Sequence, residues 1–273
     1  MVNLRQISRL VILVLAGWVL TAVVDWGGWT LPLIVLDSPL TLRISGAWLV
    51  AFVLVMLVAA GTDGLLRLRP GGAEAGYRQT APAWVLPSIA AGAPPLLLQK
   101  FQPLSAPWFL LLAGGGIGLA LTLLAEANAA DPTSRFCPAA RAGLTVLAYT
   151  ATLLTFTVIY SLHVRTVLSG TATILLGFAL AMALLRWSAG PGTRIWPHAM
   201  ATAAVVGLAT WGLNHKPVDS LAGGGLLLLV FYVATGVAQQ LIQRSLSRRI
   251  LIEFAVAVAL GLLLLIGFSG RGG

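Results

Sequence analysis

Nine times along its length the chain passes through about twenty consecutive, predominantly apolar residues, and no other feature restricts its folding so severely. An α-helix rising about 1.5 Å per residue needs roughly 20 residues to cross a hydrocarbon layer ~30 Å thick. The runs cover about 7–24, 45–66, 83–101, 108–127, 141–162, 167–187, 195–213, 221–241 and 250–268. Closed β-barrels also satisfy every backbone polar group in lipid, but their strands alternate apolar and polar residues. Because these runs are continuously apolar, the sequence predicts an all-α, polytopic transmembrane helix bundle of about nine spans. Composition agrees, with 58% hydrophobic and 9% charged residues and a mean hydropathy of +0.93, against roughly a quarter charged in soluble domains. The spans consume nearly all 273 residues, so 1–273 reads as a single integral membrane domain with no separate catalytic domain.

The net charge of +9 does not point to nucleic acid, because the basic residues stand singly or in pairs at the ends of apolar runs. Laid on alternate sides of nine spans, they partition cleanly. One side collects Arg5, Arg9, Arg67, Arg69, Arg78, Arg135, Arg141, Arg186, Arg194, Arg244, Arg248 and Arg249, and the other only Arg43, Lys100, Arg165, Lys216 and Arg271. Cytoplasmic loops are enriched in Lys and Arg, which predicts a cytoplasmic amino terminus. The first run lacks a small-residue cleavage site after Val24 and is read as a retained anchor. The segment Trp29–Leu36 is too short to cross and is read as interfacial or re-entrant. Cys137 is the single cysteine, which excludes an intramolecular disulfide and a cysteine metal site.

Ala113-Gly-Gly-Gly and Ala222-Gly-Gly-Gly open the fourth and eighth runs. A weak repeat of 1–130 and 141–243, followed by a final helix at 248–268, is one reading, and such repeats occur in transporters. The other is that Gly and Ala are common in membrane helices. Gly114-x-x-x-Gly118 has the spacing of a close helix contact, Pro87 is expected in the first turn of the third span, and Pro94-Pro95 lie in its interior.

Ionisable residues are expensive inside a bilayer and are the first place to look for chemistry. Asp25, Asp37 and Asp219 fall at outer ends, whereas Asp63, Glu126, Asp131 and Glu253 fall near the cytoplasmic face. Arg249 and Glu253 are spaced for an intrahelical pair. Asp63, Arg67, Glu126, Arg141, Arg249 and Glu253 form a candidate polar cluster, as structural anchors or as a substrate or ion site. On the fifth span, Tyr149, Thr152, Phe156, Tyr160 and His163 share one helical stripe. The stripe is either interhelical glue or the lining of a cavity. His163, His198 and His215 lack metal-ligand spacing, so neither a metal nor a cofactor is expected. Gly61-Thr-Asp63-Gly64 matches the aspartate motif of intramembrane proteases only loosely, and no P-loop, dinucleotide fingerprint or HExxH occurs.

Gly61-Thr-Asp63-Gly-Leu-Leu-Arg67, Ala83-Trp84-Val-Leu-Pro87, Glu126 with Asp131-Pro132, and Arg249 with Glu253 together resemble a family of bacterial membrane proteins catalogued as a domain of unknown function. The resemblance runs from the second span onward and implies a fold and no activity. Three readings follow: a non-catalytic membrane subunit or scaffold, a transporter of a small molecule, lipid or ion, and an intramembrane enzyme. The expected surroundings are the lipid bilayer of the bacterial cytoplasmic membrane and a membrane protein partner.

Overall fold

The computed structural model describes residues 4–24, 27–35, 38–68, 77–99, 101–161, 166–189, 193–214 and 219–244, with Ile252, Ala255, Val256 and Ala259 beyond them. The element order is α1 (Leu4–Val23), β1 (Gly28–Val35), β2 (Ser38–Ser45), α2 (Gly46–Arg67), α3 (Tyr77–Leu98), α4 (Ala106–Ala129), α5 (Cys137–Ser161), α6 (Thr166–Leu185), α7 (Trp196–Leu213) and α8 (Ser220–Gln243). These eight helices fall on the first eight apolar runs. Among the described residues, six of them, α1 to α5 and α8, are long and apolar enough to cross a membrane. Helix α7 is diluted by Pro197, His198, two threonines and two tryptophans over its 18 residues. Most of the ninth run lies outside the described residues.

Among the described residues, the one departure from an all-α fold is an antiparallel hairpin in which Leu31 faces Leu42 and Leu33 faces Leu40. In hindsight its second strand is written in the sequence, since Leu40, Leu42 and Ile44 alternate with Thr41 and Arg43, a period of two. A two-stranded hairpin has two open edges, and unpaired edges are not tolerated where lipid tails touch them. This favours a position at the interface over one exposed within the hydrocarbon.

The chain folds as two compact units, Met1–Leu144 and Thr145–Gly273. In the first, α2 and α3 run antiparallel along their whole length. Ser45 and Gln99 meet at one end, Ser88 donates to the Val55 carbonyl midway (3.4 Å), and Thr80 reaches Asp63 at the other end. Helix α1 closes this unit, burying Val14 and Trp18 against Leu54, Val58, Leu119 and Leu123. Helix α3 begins six residues before the expected Ala83, so Pro87 sits mid-helix and not in the first turn, and the helix holds Pro82, Pro87, Pro94 and Pro95. Proline has no N–H to give the carbonyl four residues back, so Pro95 leaves the Ala91 carbonyl without its helical donor. The buried Trp18 indole N–H supplies one at 2.9 Å, a repair that prolines in lipid require.

Small residues set the close approaches. A β-carbon on Gly115 would meet the Trp18 ring at 3.0 Å and one on Gly116 would meet Leu15 at 3.0 Å. Gly114 and Gly118 face open space, so the GxxxG spacing does not mark the contact and the two neighbouring glycines do.

In the second unit, α6 and α7 pair antiparallel, with Gly207 against Ile174 and the Asn214 amide donating to Ser169 Oγ at 2.9 Å. Helix α8 lies on α5, where a β-carbon on Gly223 would meet the Tyr160 ring and one on Gly224 the Thr157 backbone, each at 2.7 Å. Tyr160 donates to the Leu213 carbonyl at the end of α7 (3.3 Å).

Threonines are buried in both units, among them Thr62, Thr152 and Thr235, and two acids, Asp63 and Glu126, are buried in the first. Large apolar side chains such as Trp48, Phe52, Met56, Leu110, Leu154, Leu208 and Trp211 are exposed. Water would favour the reverse, whereas apolar surfaces of this extent fit a lipid environment.

Candidate functional site

The structure assembles part of the predicted polar cluster. Asp63, one turn from the end of α2, pairs with the Arg67 Nε at 2.6 Å, and the Thr80 hydroxyl on α3 donates to its other oxygen at 2.7 Å. The partner Thr80 was not foreseen, because nothing in a lone threonine indicates which helix it will face. Glu126 is almost wholly buried near the end of α4. Arg141 donates to the carbonyl of Ala129 (3.4 Å), which the Cys137 thiol also approaches. That carbonyl is at a helix C-terminus, where cations are favoured. Arg249 and Glu253 lie outside the described residues. The remaining described acids have local structural work: Asp131 accepts from Thr133, and Asp219 accepts the Leu221 N–H and caps α8.

The fifth-span stripe is filled by its own unit. Thr152 and Phe156 have no exposed surface, the Phe156 ring stands edge-on to Phe231, and Tyr149 packs against Phe231 and Tyr232 while its hydroxyl lies 3.4 Å from Thr235. Thr152 itself donates back to Ala148. The α8 residues were not anticipated, although Phe231, Tyr232 and Thr235 fall one turn apart in sequence. His163 lies outside the described residues.

Open space lies elsewhere in this unit. A cavity of about 600 Å³, partly open along its side, follows α7 from His198 to Leu213 and α8 from Leu226 to Leu241, within the ~300–1,000 Å³ range of small-molecule sites. Its lining is Leu, Val and Ala except at one end, where His198 and Thr202 stand one turn apart on α7. His198 Nδ1 and Thr202 Oγ1 are both buried without a hydrogen-bond partner. Among the described residues no group of His, Cys, Asp and Glu is placed to hold a metal ion.

The arrangement defines a helical protein with six described helices long and apolar enough to cross a membrane. The family model described as "Protein of unknown function (DUF5656)" matches residues 27–268, and the chain belongs to that family. The match starts at the hairpin, earlier than the resemblance read from the second span onward. No curated protein and no solved structure matches the chain.

Proposed function

We propose that the chain is a nine-span protein of the bacterial cytoplasmic membrane, amino terminus inside, that serves as a non-catalytic membrane subunit or scaffold. The orientation is supported by the charge partition, which the helix bounds preserve: Arg67 ends α2, Arg141 is in the second turn of α5 and Arg244 caps α8. The subunit reading rests on the filled α5 stripe. A carrier using that stripe needs Thr152 and Phe156 open to a cavity, and both are sealed. The acids at Asp63, Asp131 and Asp219 are engaged in local contacts, which weighs against an intramembrane enzyme. Transport of a small molecule, lipid or ion is the second reading, and the cavity between α7 and α8 favours it.

Two measurements test the proposal. For orientation, single cysteines at Arg194 and Lys216 in a Cys137→Ala background are challenged in intact cells with a membrane-impermeant maleimide. Labelling at 216 and protection at 194 is expected, and the reverse would overturn the topology. For the role, purification into nanodiscs followed by mass spectrometry is expected to show a membrane protein partner in fixed stoichiometry. A chain that purifies alone and carries solute across proteoliposomes would sink the subunit reading.

A further inference from the structure

The register of the hairpin between α1 and α2 fixes which of its residues share a face, because neighbours along a strand lie on opposite faces and cross-strand partners on the same one. One face holds Trp29 with Ile44, Leu31 with Leu42, Leu33 with Leu40, and Val35 with Ser38 at the turn. The other holds Gly28 with Ser45, Thr30 with Arg43, Pro32 with Thr41, and Ile34 with Pro39. Seven of the eight positions on the first face are large aliphatic or aromatic residues, against Ile34 alone on the second. Such a face needs a cover.

The edges of the hairpin do not invite another strand. Proline has no N–H to give a ladder and is confined within sheets to open edges. Each strand carries one, Pro32 in β1 and Pro39 in β2, so each open edge lacks a donor that an added strand would use. Nor is the cover the rest of the chain's own unit, since among the described residues the hairpin runs close to no helix but α2, at the end of β2.

Connectivity puts lipid within reach. Strand β1 begins five residues after α1 ends, and β2 runs into α2 without a gap, Ser45 being both the last residue of the strand and the N-cap of the helix. Both ends of the hairpin are thereby tied to helices long and apolar enough to cross a membrane. Just past the junction, Trp48, Leu49 and Phe52 of α2 are exposed, a surface suited to lipid that continues directly from β2. Strands of eight residues are about 26 Å long, so an upright hairpin would hold its apolar face in water over that whole length. Laid flat, it buries the face.

We propose that the hairpin lies in the membrane–water interface, with the face of Trp29, Leu31, Leu33, Leu40, Leu42 and Ile44 on the acyl chains just below the headgroups, and the face of Thr30, Thr41 and Arg43 on headgroups and water. It is the β counterpart of an interfacial amphipathic helix. At that depth water and headgroups can satisfy the open edges, which the hydrocarbon could not, and tryptophan is the residue favoured there. The choice of the outer leaflet rests on the orientation proposed above, whereas the contact with lipid stands in either orientation.

The test uses the full chain, with Cys137→Ala, in liposomes of phosphatidylglycerol and phosphatidylethanolamine. Single cysteines at Leu31, Leu33, Leu40 and Leu42, and at Thr30, Thr41 and Arg43, carry a nitroxide read by electron paramagnetic resonance. Collisions with oxygen, which concentrates in hydrocarbon, should exceed those with a water-soluble nickel chelate at the four leucine positions, and the order should reverse at the other three. Nickel access on both faces would place the hairpin upright in water, and protection of the leucine positions from both reagents would mean that protein covers them, either this chain's helices or a second copy. Each result would overturn the proposal. A phospholipid with a diazirine near the ester end of its acyl chain gives a readout on the unaltered chain, free of any folding defect in a variant. Its cross-links should include residues 29–33 and 40–44, and their absence from both strands would equally overturn it.

Discussion

The two units share a packing plan and differ in what closes one end of it. In each, the second and third helices pair antiparallel, and a serine near the start of that pair meets an amide just past its end, Ser45 with Gln99 and Ser169 with Asn214. In each, an aromatic residue of the first helix lies against a glycine of the fourth and donates to a carbonyl of the third. Trp18 does so with Gly115 and Ala91, and Tyr160 with Gly223 and Leu213. At the other end of the pair they part. The first unit fills that end with Asp63, Arg67 and Thr80, whereas in the second α7 begins with His198 and Thr202 beside a cavity. A shared packing plan can therefore be closed by an ionic contact in one place and left open in another, depending on a few side chains at the helix ends. The likeness also lends support to the repeat of 1–130 and 141–243 as a proposal.

That comparison can be broken most forcefully at the glycines. Gly224→Ala pushes a methyl into the Thr157 backbone and should cost up to about 3 kcal/mol of overpacking, seen as a lower melting temperature in detergent. Gly115→Ala meets a side-chain ring instead and should cost about 1 kcal/mol, while Gly118→Ala, facing open space, should leave melting unchanged. Equal effects at Gly224 and Gly118 would show that the close approach to Thr157 does not set the packing of α8 on α5.

The aromatic donors give the next largest effect. Trp18→Phe strands the Ala91 carbonyl that Pro95 has already deprived of its donor, a loss of about 1–3 kcal/mol. Tyr160→Phe removes a longer bond to a carbonyl at a helix end and should cost only about 0.5–1.5 kcal/mol. Denaturant titration in detergent ranks the two, and a larger loss at Tyr160 would mean that the Pro95 repair is not what makes Trp18 matter. The smallest effect belongs to the ionic closure. Asp63→Asn keeps an acceptor for Thr80 but loses the charge facing a partly exposed Arg67, so stability should fall by less than about 1 kcal/mol. A drop of several kcal/mol in the same titration would show that this pair is far better shielded from solvent than its exposure implies.

Much of the fold was legible because a bilayer imposes one length and one backbone solution. The apolar runs located eight helices, and Asp63 and Arg67, grouped in one candidate cluster, do meet. The hairpin was overlooked because Trp29–Leu36 was read without its partner strand, and Gly114-x-x-x-Gly118 misled because spacing does not say which face meets a neighbour. Thr152 and Phe156 of the α5 stripe are buried, but the partners Phe231, Tyr232 and Thr235 belong to a helix some eighty residues away.

By itself the sequence determined where apolar helices form, which ends carry charge, and that Pro95 would free a carbonyl, because hydrophobic length, side-chain charge and a missing N–H are properties of the chain alone. Only the tertiary structure decided that Trp18 repairs that carbonyl, that Thr152 and Phe156 are sealed, and that a cavity lies along α7 and α8. Those outcomes depend on the rotation and approach of helices distant in sequence, which small residues permit but do not specify.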